Sequence, residues 1–452
     1  MLKGMSVAAT TLGCKVNQAE TDSMLDMLKA AGANIVEFDE KADIYIVNTC
    51  SVTNIADKKS RQMLHRARKM NPDGIVIAAG CYVQSAREIL EQDEAIDIVI
   101  SNNKKKSITE IVNDYINVRN NEKNAPGKDH EAMEYFVDIS RETEYEEMGG
   151  HVPVGHTRAY VKIQDGCNQF CSYCIIPYVR GRIRSRSQEA ILAEVSELAE
   201  AGIKEVVLTG IHISSYGKDK NNEGALIELI EAISKIKGIK RIRLGSLEPG
   251  IITEEFVERI SSNSKVCPHF HLSLQSGCDS VLKRMNRKYT CEQCFEKCDM
   301  LRKAYKSPAL TTDVIVGFPG ETEEEFAETV RYLTELNLYE MHIFKYSPRK
   351  GTVAAAMKEQ VAPEIKNERS DVLLKLAHDN KTAYEAQFEG CELEVLVEEV
   401  VKKDNKTYLR GHTERYMDIL IDVGDISMPE SFVNSFVYVT YTQNGGNLPL
   451  LL

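Results

Sequence analysis

Three cysteines lie close together near the middle of the chain, in the run Asp-Gly-Cys-Asn-Gln-Phe-Cys-Ser-Tyr-Cys at residues 165–174. Cys167, Cys171 and Cys174 have the spacing C-x3-C-x2-C, follow a strand-like run and precede Pro177. Three thiolates on one loop can ligate three irons of a 4Fe-4S cluster and leave the fourth iron open to another molecule. A structural zinc site usually takes four protein ligands from paired hooks, and no second hook lies nearby. The spacing therefore favours an iron–sulfur cluster, with zinc as the alternative.

A second set of cysteines has no motif spacing but shares a position relative to predicted strands. Cys14, Cys50 and Cys81 each come just after a short apolar run. The carboxyl ends of parallel strands face a common crevice, where ligands bind. Cysteine often only fills a core, but three at the same end of successive strands favour a second three-cysteine metal site.

A third triplet, Cys291, Cys294 and Cys298, has the spacing C-x2-C-x3-C. Thr290 and Gln293 form a capping box before it, which predicts a helix with the three thiols on one face. The outer two would lie about 10.5 Å apart along a straight helix, too far for one cluster. We therefore predict core positions for this triplet, with a third cluster as the open alternative. The same core prediction applies to Cys267, Cys278 and Cys391.

The elements that position these cysteines follow from the hydrophobic pattern of the first third of the chain. Strands are predicted at residues 7–12, 44–47, 75–79 and 96–100, and amphipathic helices near 19–31, 57–70, 84–93 and 104–118. This alternation predicts an N-terminal domain, residues 1–120, with an open parallel α/β sheet. Residues 121–152, rich in acids, are predicted to be a linker with one short strand at 134–139.

Strand–helix alternation resumes in residues 153–383. Six strands are predicted, at 159–163, 205–208, 241–244, 269–274, 312–316 and 340–346. Six units predict a partial TIM-like (β/α)6 barrel, because a complete barrel has eight. Residues 386–452 change to strands without helices, at 393–401, 407–411, 417–423 and 435–441, which predicts a small antiparallel β-barrel.

Composition narrows the functional classes. A formal charge of −12 over 452 residues disfavours nucleic-acid binding by bulk charge, so any such binding needs local basic patches. The N-terminus lacks the apolar core of a signal peptide, and no run approaches the ~18 apolar residues of a membrane span. We expect a cytoplasmic protein without a membrane partner, whose 12 cysteines are thiols or metal ligands rather than disulfides.

Two three-cysteine sites and a terminal β-module together resemble the methylthiotransferases, radical S-adenosylmethionine enzymes that insert a methylthio group into an unreactive C–H bond. The resemblance covers an N-terminal methylthiotransferase domain, a radical S-adenosylmethionine core and a C-terminal TRAM module. The stretches Thr11-Leu-Gly-Cys-Lys-Val-Asn-Gln18 and Val47-Asn-Thr-Cys-Ser-Val-Thr-Asn54 are similar to the branch that acts on N6-threonylcarbamoyladenosine beside the tRNA anticodon. The branches acting on isopentenyladenosine or on a ribosomal protein have Gly-Cys-Gln-Met-Asn or Gly-Cys-Pro-Lys-Asn where this chain has Gly13-Cys-Lys-Val-Asn17. These two substrates remain the alternatives.

The resemblance implies two 4Fe-4S clusters and S-adenosyl-L-methionine as cofactors. Cys167, Cys171 and Cys174 would hold the cluster at which S-adenosylmethionine is cleaved to a 5′-deoxyadenosyl radical, and Cys14, Cys50 and Cys81 an auxiliary cluster that carries the sulfur. The target is C2 of the adenine ring, and no catalytic side chain beyond the cluster ligands is implied. Gly210, Gln275 and Gly317 are the predicted contacts of S-adenosylmethionine. An electron donor and a sulfur donor are implied partners whose identity the sequence leaves open.

Contact with the tRNA anticodon arm requires positive charge beside phosphate. The predicted contacts follow Cys50 and Cys174 in the sequence, and they are Lys58, Lys59, Arg61, Arg66, Arg68, Arg180, Arg182 and Arg184, with residues 104–106 as a weaker group. From residue 386 onward there are five Lys and Arg against eleven Asp and Glu, which makes a purely structural role of the terminal module the alternative to RNA binding. A non-catalytic RNA-binding protein with structural metal sites is the alternative of another class.

Overall fold

Four β-sheets organise the chain in the computed structural model, which describes residues 2–122, 133–149, 157–404, 406–424, 428–442 and 445–447. The first is a six-stranded sheet, the next two together form a barrel-like wall, and the last is a small closed barrel. No helix among the described residues is both long and apolar enough to cross a membrane.

The N-terminal sheet is parallel throughout, as the sequence predicts. Its strands are β1 (Ser6–Thr11), β2 (Asn34–Val36), β3 (Ile44–Thr49), β4 (Ile75–Gly80), β5 (Ile98–Ile100) and β6 (Met133–Tyr135). Its helices are α1 (Lys15–Ala30), α2 (Asn54–Met70), α3 (Cys81–Ser85), α4 (Arg87–Glu91) and α5 (Ile108–Glu122). The strand order β2-β1-β3-β4-β5-β6 makes β1, β3 and β4 neighbours. Both faces of β3 and β4 are buried, which explains their unbroken apolar runs.

The acidic segment predicted as a linker is packed where the structure describes it. β6 pairs with β5 as the sixth strand of the sheet. Glu146 is buried and accepts a hydrogen bond from the backbone N–H of Lys106 (2.9 Å). The Tyr145 hydroxyl donates to the carbonyl of Lys162 (3.1 Å) in the following barrel. Residues 123–132 and 150–152 of the predicted linker lie outside the described residues.

The central region contains six parallel strands, which confirms the predicted partial barrel. The parallel strands are β7 (Arg158–Asp165), β9 (Glu205–Gly210), β10 (Arg241–Leu244), β11 (His269–Gln275), β12 (Ala309–Val316) and β13 (Glu340–Lys345). A short seventh strand, β8 (Arg184–Ser185), pairs antiparallel with β7. The helices are α6 (Ile176–Arg180), α7 (Gln188–Glu200), α8 (Ala225–Ser234), α9 (Glu254–Ser261), α10 (Asp279–Arg284), α11 (Cys291–Ala304), α12 (Glu323–Leu336) and α13 (Pro363–Ala386). Only isolated bridges such as Leu247 to Leu272 join β10 to β11, so the wall is two sheets set edge to edge.

The third cysteine triplet lies on α11, as predicted. Thr290 and Gln293 form the capping box at its start, and Cys291, Cys294 and Cys298 are buried in the barrel core. Cys267 and Cys278 are buried as well. Cys391 is exposed, so its predicted core position is wrong; it lies in the short turn between α13 and the next strand, where no second layer covers it.

The C-terminal module is a closed barrel of β14 (Glu392–Lys403), β15 (Lys406–Thr413), β16 (Asp418–Asp422), β17 (Phe436–Thr442) and β18 (Gly445–Asn447). The antiparallel prediction is confirmed except for one parallel pair, β16 with β18, and β18 was not predicted. Arg241 and Arg243 in β10 donate hydrogen bonds to carbonyls of His412, Thr413 and Glu414. Because Arg241 begins β10, the module sits at the amino-terminal end of the central barrel.

Candidate metal centres

Three adjacent strands bring Cys14, Cys50 and Cys81 to one edge of the N-terminal sheet. Cys14 lies between β1 and α1, Cys50 directly follows β3, and Cys81 directly follows β4. Gly13 has φ +103°, and a Cβ added there would lie 2.7 Å from the Cys50 sulfur. Only glycine therefore lets the first loop pass so close to the second cysteine. The sheet order thus assembles the predicted second triplet.

Burial favours the protonated form of two thiols of this triplet, Cys14 and Cys50, because it raises their pKa values. Burial, followed by the charge of Cys81, raises the pKa of Cys50 to about 11. Burial also raises the pKa of Cys14, and Cys81 adds to that shift against the opposing charge of Arg180. A bound metal must displace these protons, so metal loading of this site and proton release are linked.

The first triplet lies on the loop between β7 and α6. The backbone N–H of Cys174 donates to the carbonyl of Cys171 (3.0 Å). Burial, with a smaller contribution from the charge of Cys171, raises the pKa of Cys167 to about 11 and that of Cys174 to about 12. Ser172 anchors the loop, because its backbone N–H donates to the carbonyl of Met285 (3.0 Å) beyond α10.

The sulfur spacing of both triplets suits a polynuclear cluster better than a single ion. Zn–S bonds of about 2.3 Å place sulfurs roughly 3.8 Å apart in a tetrahedral site. In the part of the chain that the structure describes, neither triplet has all three sulfurs within 4.8 Å of one another. Three thiols at each site, from three strand ends in one case and from a single loop in the other, thus fit a cluster with one open iron.

The two triplets meet across the joint between the N-terminal sheet and the barrel. Cys81 packs in one apolar cluster with two residues that follow Cys174 in the chain. These are Ile175, the next residue, and Val179 on α6. From the barrel side, Arg349 donates to Ser51 Oγ (2.8 Å) in the loop after Cys50 and to Asp57 Oδ2 (2.7 Å) in the first turn of α2. No sequence pattern indicates the role of this arginine, because its partners are almost 300 positions away.

Two cavities border the triplets. One of about 210 Å³ is lined mainly by apolar atoms and lies between Val52, Cys174, Gln275 and Phe344. The other, about 520 Å³, has Cys14 on its wall, so the exposed surface of Cys14 faces a cavity. A ligand in the smaller cavity would have the loop of Cys167, Cys171 and Cys174 on one side and the loop after Cys50 on the other.

Of the three predicted cofactor contacts, only Gln275 lines one of these cavities. Gly317 (φ +69°) opens a turn in which its N–H donates to the Glu321 carboxylate (2.7 Å), and neighbouring Phe318 packs edge-on against Tyr173 in the cysteine loop. Gly210 ends β9, where a Cβ would lie 3.0 Å from the carbonyl of Gln164. Neither glycine lines either of these two cavities, so their contact with S-adenosylmethionine stays a prediction.

Some of the basic residues predicted to contact tRNA phosphates are exposed, and others are buried. Lys58, Lys59, Arg61 and Arg66 are exposed on α2, and Arg182 is exposed beside the first triplet. Arg68 is half-buried and bound to Asp97 and to the carbonyls of Pro72 and Gly74, so it serves the fold rather than the surface.

The structure corrects the prediction that Arg180 and Arg184 contact tRNA, because both side chains are fully buried. Arg180 donates to Glu20 (2.7 Å) and to Asp165 (3.0 Å). Lys105, in the weaker basic group, is also buried and paired with Glu20. Alternating arginines at 180–186 predicted an exposed basic stripe, but no pattern in the sequence indicates that two acids lie inside the joint to receive them.

Comparison with known proteins agrees with this geometry. The Radical SAM superfamily matches residues 161–333, and the uncharacterized protein family UPF0004 matches residues 6–101. Threonylcarbamoyladenosine tRNA methylthiotransferase MtaB of Bacillus subtilis is 40% identical over 416 residues, 92% of this chain and 90% of that protein. The protein of that name from Thermotoga maritima is 37% identical, over 91% of this chain and 90% of its own length. The tRNA-2-methylthio-N(6)-dimethylallyladenosine synthase of Thermoanaerobacter pseudethanolicus is 35% identical, over 96% of this chain and 90% of that protein.

Solved structures agree at the level of fold. The radical S-adenosylmethionine methyltransferase TsrM of Kitasatospora setae superimposes with a TM-score of 0.56 at 16% identity, covering 76% of this chain and 77% of that chain. The chain belongs to the methylthiotransferase family of radical S-adenosylmethionine enzymes. Within it, the predicted resemblance to the threonylcarbamoyladenosine branch is confirmed by the relatives of that name. S-adenosylmethionine and iron–sulfur clusters, the cofactors predicted from the sequence, are those of the family.

Proposed function

We propose that this protein is a tRNA methylthiotransferase that inserts a methylthio group at C2 of N6-threonylcarbamoyladenosine in the anticodon arm. The observation that carries the proposal is the meeting of two three-cysteine groups across one joint, with Cys81 packed against the residue after Cys174. Sulfur insertion by radical chemistry needs a radical source and a sulfur source beside one substrate, and this joint brings two such sites together.

Cys167, Cys171 and Cys174 would hold one 4Fe-4S cluster, and Cys14, Cys50 and Cys81 the other. When bound, the clusters and S-adenosylmethionine supply reductive sulfonium cleavage, the sulfur and the methyl group. The chain's own residues supply position and exclusion of water. The apolar cavity between Val52 and Phe344 would shield a base, and base contact with aromatic faces is the common mode of recognising unpaired RNA.

The exposed cations of α2 support binding of the anticodon arm. α2 begins at Asn54, four residues after Cys50, so Lys58, Lys59 and Arg61 lie next to the loop that borders the cavity. Phosphates flanking a base held there would approach these side chains. We place the reaction in the cytoplasm, with a reducing electron donor and a sulfur donor as further partners.

The test is nucleoside mass spectrometry of tRNA from cells lacking this protein, with and without the restored gene. We expect the methylthio form of threonylcarbamoyladenosine to disappear and its precursor to accumulate. Loss of methylthio-isopentenyladenosine instead would move the substrate to the other tRNA branch. Two unchanged nucleosides would refute the tRNA proposal and direct the search to ribosomal proteins.

The roles of the two triplets are separated by alanine variants of the purified protein. Replacing Cys14, Cys50 and Cys81 should lower iron from about eight to about four per chain. Reductive release of 5′-deoxyadenosine should survive while sulfur insertion is lost. Replacing Cys167, Cys171 and Cys174 should abolish both reactions. Unchanged sulfur insertion in the first variant would contradict the auxiliary assignment.

A further inference from the structure

Each cysteine triplet has one arginine that donates a hydrogen bond to one of its sulfurs. Arg180 Nε lies 3.2 Å from Cys81 Sγ, and Arg287 Nη1 lies 3.1 Å from Cys171 Sγ. We infer that Arg180 sets the reduction potential of the auxiliary cluster and Arg287 that of the radical-site cluster. The inference rests on the proposed function, because it assumes that both triplets carry clusters. Both arginines are positioning residues that act through a cysteine.

Arg180 is held so firmly that its Nε can point only at the sulfur. The side chain is fully buried. Its terminal nitrogens donate to Glu20 (2.7 Å), Asp165 (3.0 Å) and Asn17 Oδ1 (2.6 Å). These contacts come from α1 and from the end of β7, so the N-terminal sheet and the barrel together fix the guanidinium.

The charges around Arg180 favour an anion at Cys81. Ion pairs join Glu20 and Asp165 to four buried cations: Lys105, Lys162, Arg180 and Arg184. Cations outnumber carboxylates in this group even when the neighbouring buried Glu146 is counted. Buried charge is costly unless it is balanced. Three thiolates of a cluster at Cys14, Cys50 and Cys81 would supply the missing negative charge.

Arg287 has a simpler environment. Beyond Cys171 it donates to the carbonyl of Ser273 (2.6 Å) and to the Tyr289 hydroxyl (2.6 Å). No carboxylate of the described residues lies at ion-pair distance from it. The hydrogen bond to Cys171 Sγ therefore brings a positive charge to the radical-site triplet, without an ion-pair partner among the described residues.

Reduction adds an electron to a cluster, and a positive donor at a ligand sulfur stabilises the reduced form more than the oxidised one. Hydrogen bonds to the sulfurs and local charge are among the determinants of cluster potential. Loss of either donor should therefore lower the potential of its own cluster. Because the two arginines contact different triplets, the two effects should be separable.

The experiment measures midpoint potentials by redox titration with electron paramagnetic resonance, in the full-length chain. The auxiliary cluster is isolated by replacing Cys167, Cys171 and Cys174 with alanine, and the radical-site cluster by replacing Cys14, Cys50 and Cys81. Arg180→Lys is introduced in both backgrounds, with Arg184→Lys as its control, because Arg184 is equally buried but donates to the carbonyls of Arg180 and Arg182. Arg287→Met is paired with Lys288→Met, an exposed neighbour.

We expect Arg180→Lys to lower only the auxiliary potential and Arg287→Met only the radical-site potential, while both controls leave the potentials in place. The inference is overturned if each variant matches its control, or if either variant shifts both clusters equally. If the Arg180→Lys variant loses its iron, the potentials of the Arg287→Met variant test the inference, because Arg287 lies outside the buried charge group. A wild-type protein that holds no clusters after reconstitution would instead refute the proposed function, whereas two intact clusters with unshifted potentials would refute this inference alone.

Discussion

Arg349 shows how a single side chain can control alignment of the two triplets. It is buried, and it joins the barrel to the loop after Cys50 through Ser51 and to the start of α2 through Asn54 and Asp57. These three partners lie within the segment that carries Cys50 and borders the smaller cavity. Removing one member of a buried charged pair leaves the other uncompensated, at a cost of roughly 3–5 kcal/mol.

Arg349→Met should therefore uncouple the two halves of the reaction. We expect sulfur insertion to fall by about tenfold to a hundredfold, the order that small misplacement of reacting groups costs. Release of 5′-deoxyadenosine should fall much less, because the radical-site loop is anchored separately through Ser172. The ratio of methylthio product to 5′-deoxyadenosine is the measurement. Lys350→Met, an exposed neighbour, is the control; an unchanged ratio in Arg349→Met would show that this contact does not align the sites.

At the scale of elements, α2 has two different faces. Ser60, Leu64 and Ala67 are buried against the sheet, while Lys58 and Lys59 point outward. Thr53 caps the helix through the N–H of Ala56 (3.1 Å), which fixes where the helix begins relative to Cys50. The position of the lysines relative to the smaller cavity is therefore fixed by the start of the helix.

Replacing Lys58 and Lys59 with alanine should weaken binding of the anticodon arm without changing the fold. Each phosphate contact contributes about 0.7–0.9 to the salt dependence of log K, so the double variant should reduce the slope by about 1.4–1.8. Fluorescence anisotropy with an anticodon stem–loop at several salt concentrations measures this slope. Lys375→Ala on α13, an exposed position on the barrel, should leave it unchanged. Equal slopes in wild type and the double variant would remove α2 from the RNA-binding surface.

For the whole molecule, the C-terminal barrel packs against the end of the central barrel opposite the cysteine loop. Tyr416 lies at this interface: the guanidinium groups of Arg243 and Arg158 in the central barrel lie 4.7 and 5.1 Å from the centroid of its ring. The same ring stacks on His412 of its own module, with centroids 4.6 Å apart. The excess of acids in this module agrees with that position, because its surface meets arginines of the barrel. These contacts favour the structural role that composition suggested as the alternative to RNA binding.

Tyr416→Ala should loosen this interface and destabilise the protein by about 3 kcal/mol, the usual cost of truncating a packed aromatic side chain. We expect a lower urea midpoint, with iron content and 5′-deoxyadenosine release retained under native conditions. Tyr438→Ala, at an exposed tyrosine of the same module, is the matched control. Identical midpoints for the two variants would contradict a stabilising interface at Tyr416.

The sequence by itself determined the local structure and the ligand types. The spacing of Cys167, Cys171 and Cys174 specifies a loop that can wrap a cluster, because ligands so close in sequence must also be close in space. The alternation of apolar runs and helices specified the parallel sheets, and so placed Cys14, Cys50 and Cys81 at one edge, since parallel strands share a carboxyl end.

Tertiary structure decided which charged residues face solvent. Arg180, Arg184 and Lys105 look like surface cations in the sequence, but they are buried because two carboxylates meet them at the joint. Glu20 is 160 positions from Arg180, and Asp165 lies on the other side of the cysteine loop. Arg287 and Arg349 acquire their roles in the same way, from partners more than a hundred positions away. Local sequence patterns record hydrophobicity and spacing within a few turns, whereas burial of a charge depends on partners that only the packed sheet and barrel bring together.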